Sequence, residues 1–267
     1  MDIVLLKLFL APLLVVASTL AGRRWGPNLT GLLVALPIVA GPILFISYRS
    51  HGADFAAEAA GSSLLGLVSL ATFAVVFARA AHRFGWLATV ATSCAAVLAV
   101  DVALSAVHFT APVALVCTLT ATTAAVVLLP RVGSESTGES VRPPLWDLPG
   151  RAAATAALVL VVTTAAGALG PQWTGLLAPF PIATSVVAAF GHARHGHAVT
   201  ARTMAGVLTG LFGFAVFCLL VAVLVRPLGG TAFLVGAVAT VTVQLVVRAV
   251  LTRVSNRQRR STCPRWR

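Results

Sequence analysis

Residues 26–38 read GPNLTGLLVALPI, and residues 170–182 read GPQWTGLLAPFPI. Each copy sets a proline inside a run otherwise apolar enough to be a helix, and the two copies lie 144 positions apart. Extending the pair without gaps, residues 26–78 and 170–222 share 17 identities in 53. Chance matching of apolar helices would fall on Ala, Leu and Val. Here many matches fall elsewhere: Gly26/Gly170, Pro27/Pro171, Thr30/Thr174, Gly31/Gly175, Pro37/Pro181, His51/His195, Gly52/Gly196, Gly66/Gly210 and Phe73/Phe217. The pattern predicts an internal duplication.

The rest of the chain says where the duplicated unit lives. Of 267 residues, 58% are hydrophobic and 10% charged, with a mean hydropathy of +0.96. A water-soluble domain carries about a quarter charged residues, so this chain lacks the polar surface to face water. Its apolar runs have the length of roughly 20 residues that a helix needs to cross a bilayer core. The expected class is an all-α polytopic protein of the cell's inner (plasma) membrane. The net charge of +12 is scattered between apolar runs and condensed only at the C-terminus, which fits topology signals and not a nucleic-acid face. The four cysteines show no paired or metal-ligand spacing, so no disulfide framework and no metal site are expected. The first apolar run is long for a signal peptide, starts with Asp2 and lacks a good cleavage pattern, and reads as a retained span.

Nine spans are expected, at 3–21, 29–48, 61–79, 86–107, 111–130, 152–169, 174–191, 204–225 and 231–252. The stretch 86–130, broken only by VHFTAP, is expected to be two spans, since a single helix of that length would be about twice the membrane thickness. With this division sixteen of the nineteen Lys and Arg residues fall on one side, leaving Lys7, Arg49 and Arg226 on the other. Basic residues accumulate in cytoplasmic loops, which puts the N-terminus out and the C-terminus in. Two four-span units separated by one span must then be inverted relative to each other. The expected organisation is a 4+1+4 inverted-topology repeat: repeat A at 1–108, a connecting span and cytoplasmic loop at 109–151, repeat B at 152–252, and a basic tail at 253–267.

Inverted repeats with Pro- or Gly-interrupted helices near the bilayer centre are a recurring plan of secondary transporters. A proline removes a backbone donor and frees a carbonyl, which hydrocarbon tolerates only where protein or a water-filled cavity satisfies it. Thr30, Gly31, Pro37, Thr174, Gly175, Pro179 and Pro181 are therefore the candidate substrate-binding residues. The plainer reading is a kink at each proline and close helix packing at Gly31 and Gly175. Asp101 is an acid inside an expected span, with Ser105 and His108 on its helical face. Asp101 and His108 are the candidate proton-coupling pair; alternatively Asp101 is solvated at the outer mouth or paired with Arg49. By the repeat its counterpart is Leu245, with Gln244 the nearest polar neighbour. The stretch GHARHGH at 191–197 reads as a solvated, lipid-facing basic loop, and RVGSESTGESVRPPLWDLPG at 131–150 as a flexible connector.

Pro179, Phe180 and Pro181, preceded by Gly175 and Leu176 and followed by Gly196, Ala201, Arg202 and Thr203, resemble the pattern of the GlpM-like family of small bacterial inner-membrane proteins. The first copy keeps Gly31, Leu32, Pro37 and Gly52 but has Ala35 and Leu36 where the other has Pro179 and Phe180. The resemblance covers about 35 residues per copy and implies two such four-span units fused through a connecting span. It implies an integral membrane protein without naming a chemistry. No P-loop, nucleophile elbow, dinucleotide fingerprint or HExxH motif is present, so an enzyme is not expected, and no cofactor is implied. Three functions stay open: a secondary transporter of a small solute, a lipid flippase or channel, and a non-transporting membrane scaffold. The expected partners are anionic membrane lipids at the basic tail, a small solute and, at most, a second copy of the chain.

Overall fold

A computed structural model describes residues 2–37, 40–107, 109–130, 146–167, 173, 176–177 and 179–261, with side chains over the same range except 2–8, 10, 162–167 and 248–261. The described residues fold into helices: α1 (Asp2–Trp25), α2 (Pro27–Val34), α3 (Ala40–His51), α4 (Ala53–Ala80), α5 (Trp86–Ser105), α6 (Ala111–Leu128), α7 (Asp147–Gly167), α8 (Ile182–Leu228) and α9 (Thr231–Ser261). Among them α4, α5, α6 and α8 are long and apolar enough to cross a membrane, and Thr231–Val247 is a shorter apolar stretch. The chain is a membrane-embedded helical protein.

These helices do not map one to one onto the nine expected spans. The span 29–48 is two helices, α2 and α3, separated around Pro37. The spans 174–191 and 204–225 are joined within α8, which is bent at Gly196 into a short arm (182–195) and a long arm (197–228). Gly196 has φ 73°, ψ −172° there. Gly52, which separates α3 from α4, has φ 89°, ψ −179°. A Cβ is strained in this region, so only glycine turns the chain comfortably at either point, and these two glycines are 144 residues apart. The stretch 86–130 is two helices, α5 and α6.

Two helices form the centre. In α4, 72% of the most apolar window is buried, and in α8, 61%; in α5 and α6 only 22% is. The buried face of α4 is largely Ala, Gly and Ser, including Ala56, Ala60, Ser63, Gly66, Ala71, Ala74 and Ala78. Small residues let helices approach closely where lipid removes the ordinary hydrophobic drive to associate. The long arm of α8 is built the same way from Gly206, Gly210, Gly213 and Ala215, and α4 packs on α8 more extensively than on any other element. Phe73, Phe77, Leu208 and Leu211 fill the space between.

The outer helices bury one stripe each. In α5 the buried residues are Thr89, Ser93, Val97 and Asp101, and in α6 Ala114, Thr118, Thr122 and Ala125. Recurrence at three or four positions is one helical face. The Thr118 hydroxyl donates to the Leu64 carbonyl of α4. The opposite faces of α5, α6 and α9 show Leu98, Val102, Val116, Val127, Leu234, Val238 and Leu245, the composition a lipid-facing surface requires.

Side-chain contacts collect the basic loops at one end of the bundle. Arg23 and Arg194 both reach Asp147, His192 lies 3.1 Å from the Phe84 carbonyl, and the rings of His82 and His197 are 4.3 Å apart. The other end holds an exposed ion pair between Arg226 and Asp54 at 2.8 Å. There Tyr48 and Phe45 close over Gly229 and Gly230.

Candidate functional site

The interrupted helices determine where a site can form. At the first break, α2 ends at Val34, and the backbone passes Pro37, whose carbonyl accepts from Gly41 N–H at 2.8 Å to start α3. At the second, the Phe180 N–H donates to Leu177 O at 3.1 Å, and Pro181, whose carbonyl accepts from Ser185 N–H at 2.7 Å, caps α8. Both interruptions rest on glycines of the central helices. A Cβ on Gly66 would stand 2.5 Å from Leu176 O and 2.6 Å from Pro179 Cγ. A Cβ on Gly210 would stand 3.2 Å from Leu32 O and 2.4 Å from the Ala35 Cβ. Gly66 is at the middle of α4 and Gly210 near the middle of the long arm of α8.

The candidate residues divide into several environments. Thr30 is buried against Gly22 of α1, and Gly31 lies against the backbone of α8, so both serve helix packing. Pro37 is partly exposed within its break, while Pro179 and Pro181 are buried. Thr174, Gly175 and His108 lie outside the described residues. A cavity of about 360 Å³ opens beside the first turn of α2, lined by Asn28, Val126, Pro130, Ala201, Arg202 and Thr209. It lies toward the basic end and not at the breaks themselves.

Asp101 is fully buried. Its Oδ1 accepts a hydrogen bond from the Ser69 hydroxyl of α4, and its Oδ2 has no hydrogen-bond partner among the described residues. It is neither solvated nor paired with Arg49, which corrects both alternatives drawn from its position near the outer end of the span. Between α8 and α9 the Gln244 amide lies against Gly213 and donates from Nε2 to Gly210 O at 2.7 Å. The crevice between α4 and α5 therefore holds a buried carboxyl group, and the one between α8 and α9 an amide.

Sequence reasoning missed a second polar centre. Asp147, at 2% side-chain exposure, faces three guanidinium groups: Arg23 Nη2 at 2.7 Å and Arg151 Nε at 3.2 Å on Oδ2, and Arg194 Nε at 3.2 Å on Oδ1. Arg151 lies over the Phe190 ring at 4.8 Å and Arg194 over Trp146 at 5.1 Å. The segment read as a flexible connector thus ends in an ordered helix start, and GHARHGH is helix on either side of the Gly196 bend and not a loop, tied to the α4–α5 connection and to α7. The signal was present in WDLPGR: an acid in the first turn of a helix with an arginine four residues on. Nearby, His82 is held below its ordinary value of 6.5 by burial and then by His197 and His192. Among the described residues no group of three His, Cys, Asp or Glu is placed to hold a metal ion.

Comparison with family models, curated proteins and solved structures finds no match to this chain, so the likeness to the GlpM-like family rests on the quoted residues alone.

Proposed function

We propose that the chain is a secondary transporter of a small solute, built as a 4+1+4 inverted-topology repeat with its N-terminus outside and its C-terminus in the cytoplasm. The observation that carries this reading is the reciprocal seating of the interrupted helices. Gly66 receives Leu176 and Pro179; Gly210 receives Leu32 and Ala35. Every partner in one contact lies 144 residues from its partner in the other. Equivalent contacts made in both directions are what a two-fold axis between α4 and the long arm of α8 produces. Transporters of this plan place their solute where such interrupted helices lie against the central pair. The cavity beside α2 supplies an approach from the basic end.

A labelling experiment tests the transporter reading without knowledge of the solute. In a chain whose four native cysteines are changed to Ala, Pro37→Cys should react with a membrane-impermeant maleimide from either face of sealed vesicles. Reagent on one side should protect against reagent on the other only after long incubation, because the carrier exposes the break alternately. Labelling from one face only would remove alternating access, and no labelling from either would favour the scaffold.

Asp101, hydrogen-bonded to Ser69, is the residue proposed to carry a coupling proton. Asp101→Asn preserves shape and accepts the Ser69 bond but cannot exchange a proton. In proteoliposomes screened with a panel of small solutes, proton-driven uptake should fall to background while solute counterflow persists. Equal uptake by the two proteins under a proton gradient would exclude Asp101 from coupling.

A further inference from the structure

We propose that the three arginines around Asp147 form a binding site for a phosphate group at the membrane surface, supplied by an anionic phospholipid headgroup or by soluble phosphate. One carboxylate neutralises one of three guanidinium groups, so the cluster keeps an excess of two positive charges. Arg151 is buried, with its Nε on Asp147 and its Nη1 on the Val187 carbonyl at 3.5 Å. Arg23 and Arg194 differ. Their side chains are 36% and 19% exposed, and each gives Asp147 a single nitrogen. Their remaining donors make no further bond to a described residue, and these planar forks match phosphate geometry. Stacking of Arg194 on Trp146 fixes the direction of its fork before any ligand arrives.

The depth of the cluster matches that ligand. Trp25, Trp86 and Trp146 are all exposed at this end of the bundle, and Arg24 lies over the Trp25 ring at 5.4 Å. Exposed tryptophans mark the headgroup level of a membrane protein. A phosphate at that level would meet Arg23 from α1 and Arg194 from α8 together, and would offset the mutual repulsion of three adjacent cations. The site rests on contacts within the molecule and does not depend on the transporter reading.

The experiment uses the full-length protein in a neutral detergent, with thermal unfolding followed during titration. The probes are dioctanoyl phosphatidylglycerol, dioctanoyl phosphatidylcholine and inorganic phosphate. Phosphatidylglycerol should raise Tm saturably, with phosphatidylcholine giving no saturable shift. Arg194→Gln should move the half-saturating concentration up by about tenfold, the effect of one charge-assisted hydrogen bond. Arg194→Lys, which keeps the charge but not the fork, should give a smaller loss and serves if the glutamine variant does not fold. The triple variant Arg257→Gln, Arg259→Gln, Arg260→Gln should titrate like the parent, which separates this site from the basic tail. Saturation by inorganic phosphate with the same Arg194 dependence would identify a soluble phosphate as the source, and saturation by phosphatidylglycerol alone would identify the lipid. The site is refuted by no saturable shift with either anion, or by shifts unaffected at Arg194 but lost with the tail arginines.

Discussion

Gly31→Val is expected to prevent the protein from assembling its native fold. Gly31 on α2 and Gly206 on α8 interlock. A Cβ on Gly31 would lie 1.9 Å from Thr203 O and 2.7 Å from Val207 N, and one on Gly206 would lie 2.0 Å from Asn28 O. The obstacles are backbone atoms on both sides, so no rotamer change relieves them. Overpacking a tight interface costs about 1–3 kcal/mol when side chains can yield, and here they cannot. The measurement is the monodisperse fraction after detergent extraction, which should collapse for Gly31→Val and Gly206→Val alike. Two controls set the scale. At Gly22 the close atom is the Thr30 hydroxyl, which can rotate, so Gly22→Ala should cost much less. Gly61 on α4 faces open space, and Gly61→Ala should leave the protein intact or stabilise it by up to about 1 kcal/mol through helix propensity. A monodisperse, parent-like Gly31→Val protein would show that α2 does not pack on α8 as described.

Asp147→Asn is the second large effect. It keeps the shape of the side chain and removes the charge that three arginines share. Breaking a buried pair from one side costs about 3–5 kcal/mol, because the remaining charge is left uncompensated in low dielectric. Arg151 is the partner that cannot escape, at 6% side-chain exposure; Arg23 and Arg194 can turn toward water. The loss should therefore appear as a large drop in Tm for Asp147→Asn, with much of it recovered in Asp147→Asn combined with Arg151→Gln. Combining it instead with Arg23→Gln should recover little. Equal recovery by the two second changes would mean that burial of Arg151 does not set the cost.

What the sequence made legible follows the range of the interactions involved. The interruptions near Pro37 and Pro181 were readable because a proline acts on its own helix turn. The placement of Asp101 within an apolar helix was readable because an acid in a long apolar run stands out, but its burial was not, since the outer mouth and Arg49 stayed open as alternatives. Its partner Ser69 was not, since a serine in a helix ordinarily bonds back to its own preceding turn, as Ser63 does to Ala59. Asp147 escaped notice because Arg23, its nearest partner, is 124 residues away, and no local pattern encodes that meeting. The helix ends were misjudged where tertiary packing overrides hydropathy: α7 starts at Asp147, inside a stretch too polar to be assigned to a span, because the arginine cluster and Phe190 cover its first turn.

The seat of α2 also bears on the order in which the chain can be completed during synthesis. This eight-residue helix finds its main packing surface only in the long arm of α8, about 170 residues later, which a ribosome needs on the order of 10–35 s to add. Until then the segment has no docking partner for Gly31 and no cover for the backbone groups at its break, and hydrocarbon does not tolerate such groups exposed. The newborn N-terminal half should consequently remain in the custody of the insertion machinery rather than partition into lipid. A chain stopped before residue 203 should be recognised and degraded as unfinished, even with every one of its earlier helices made.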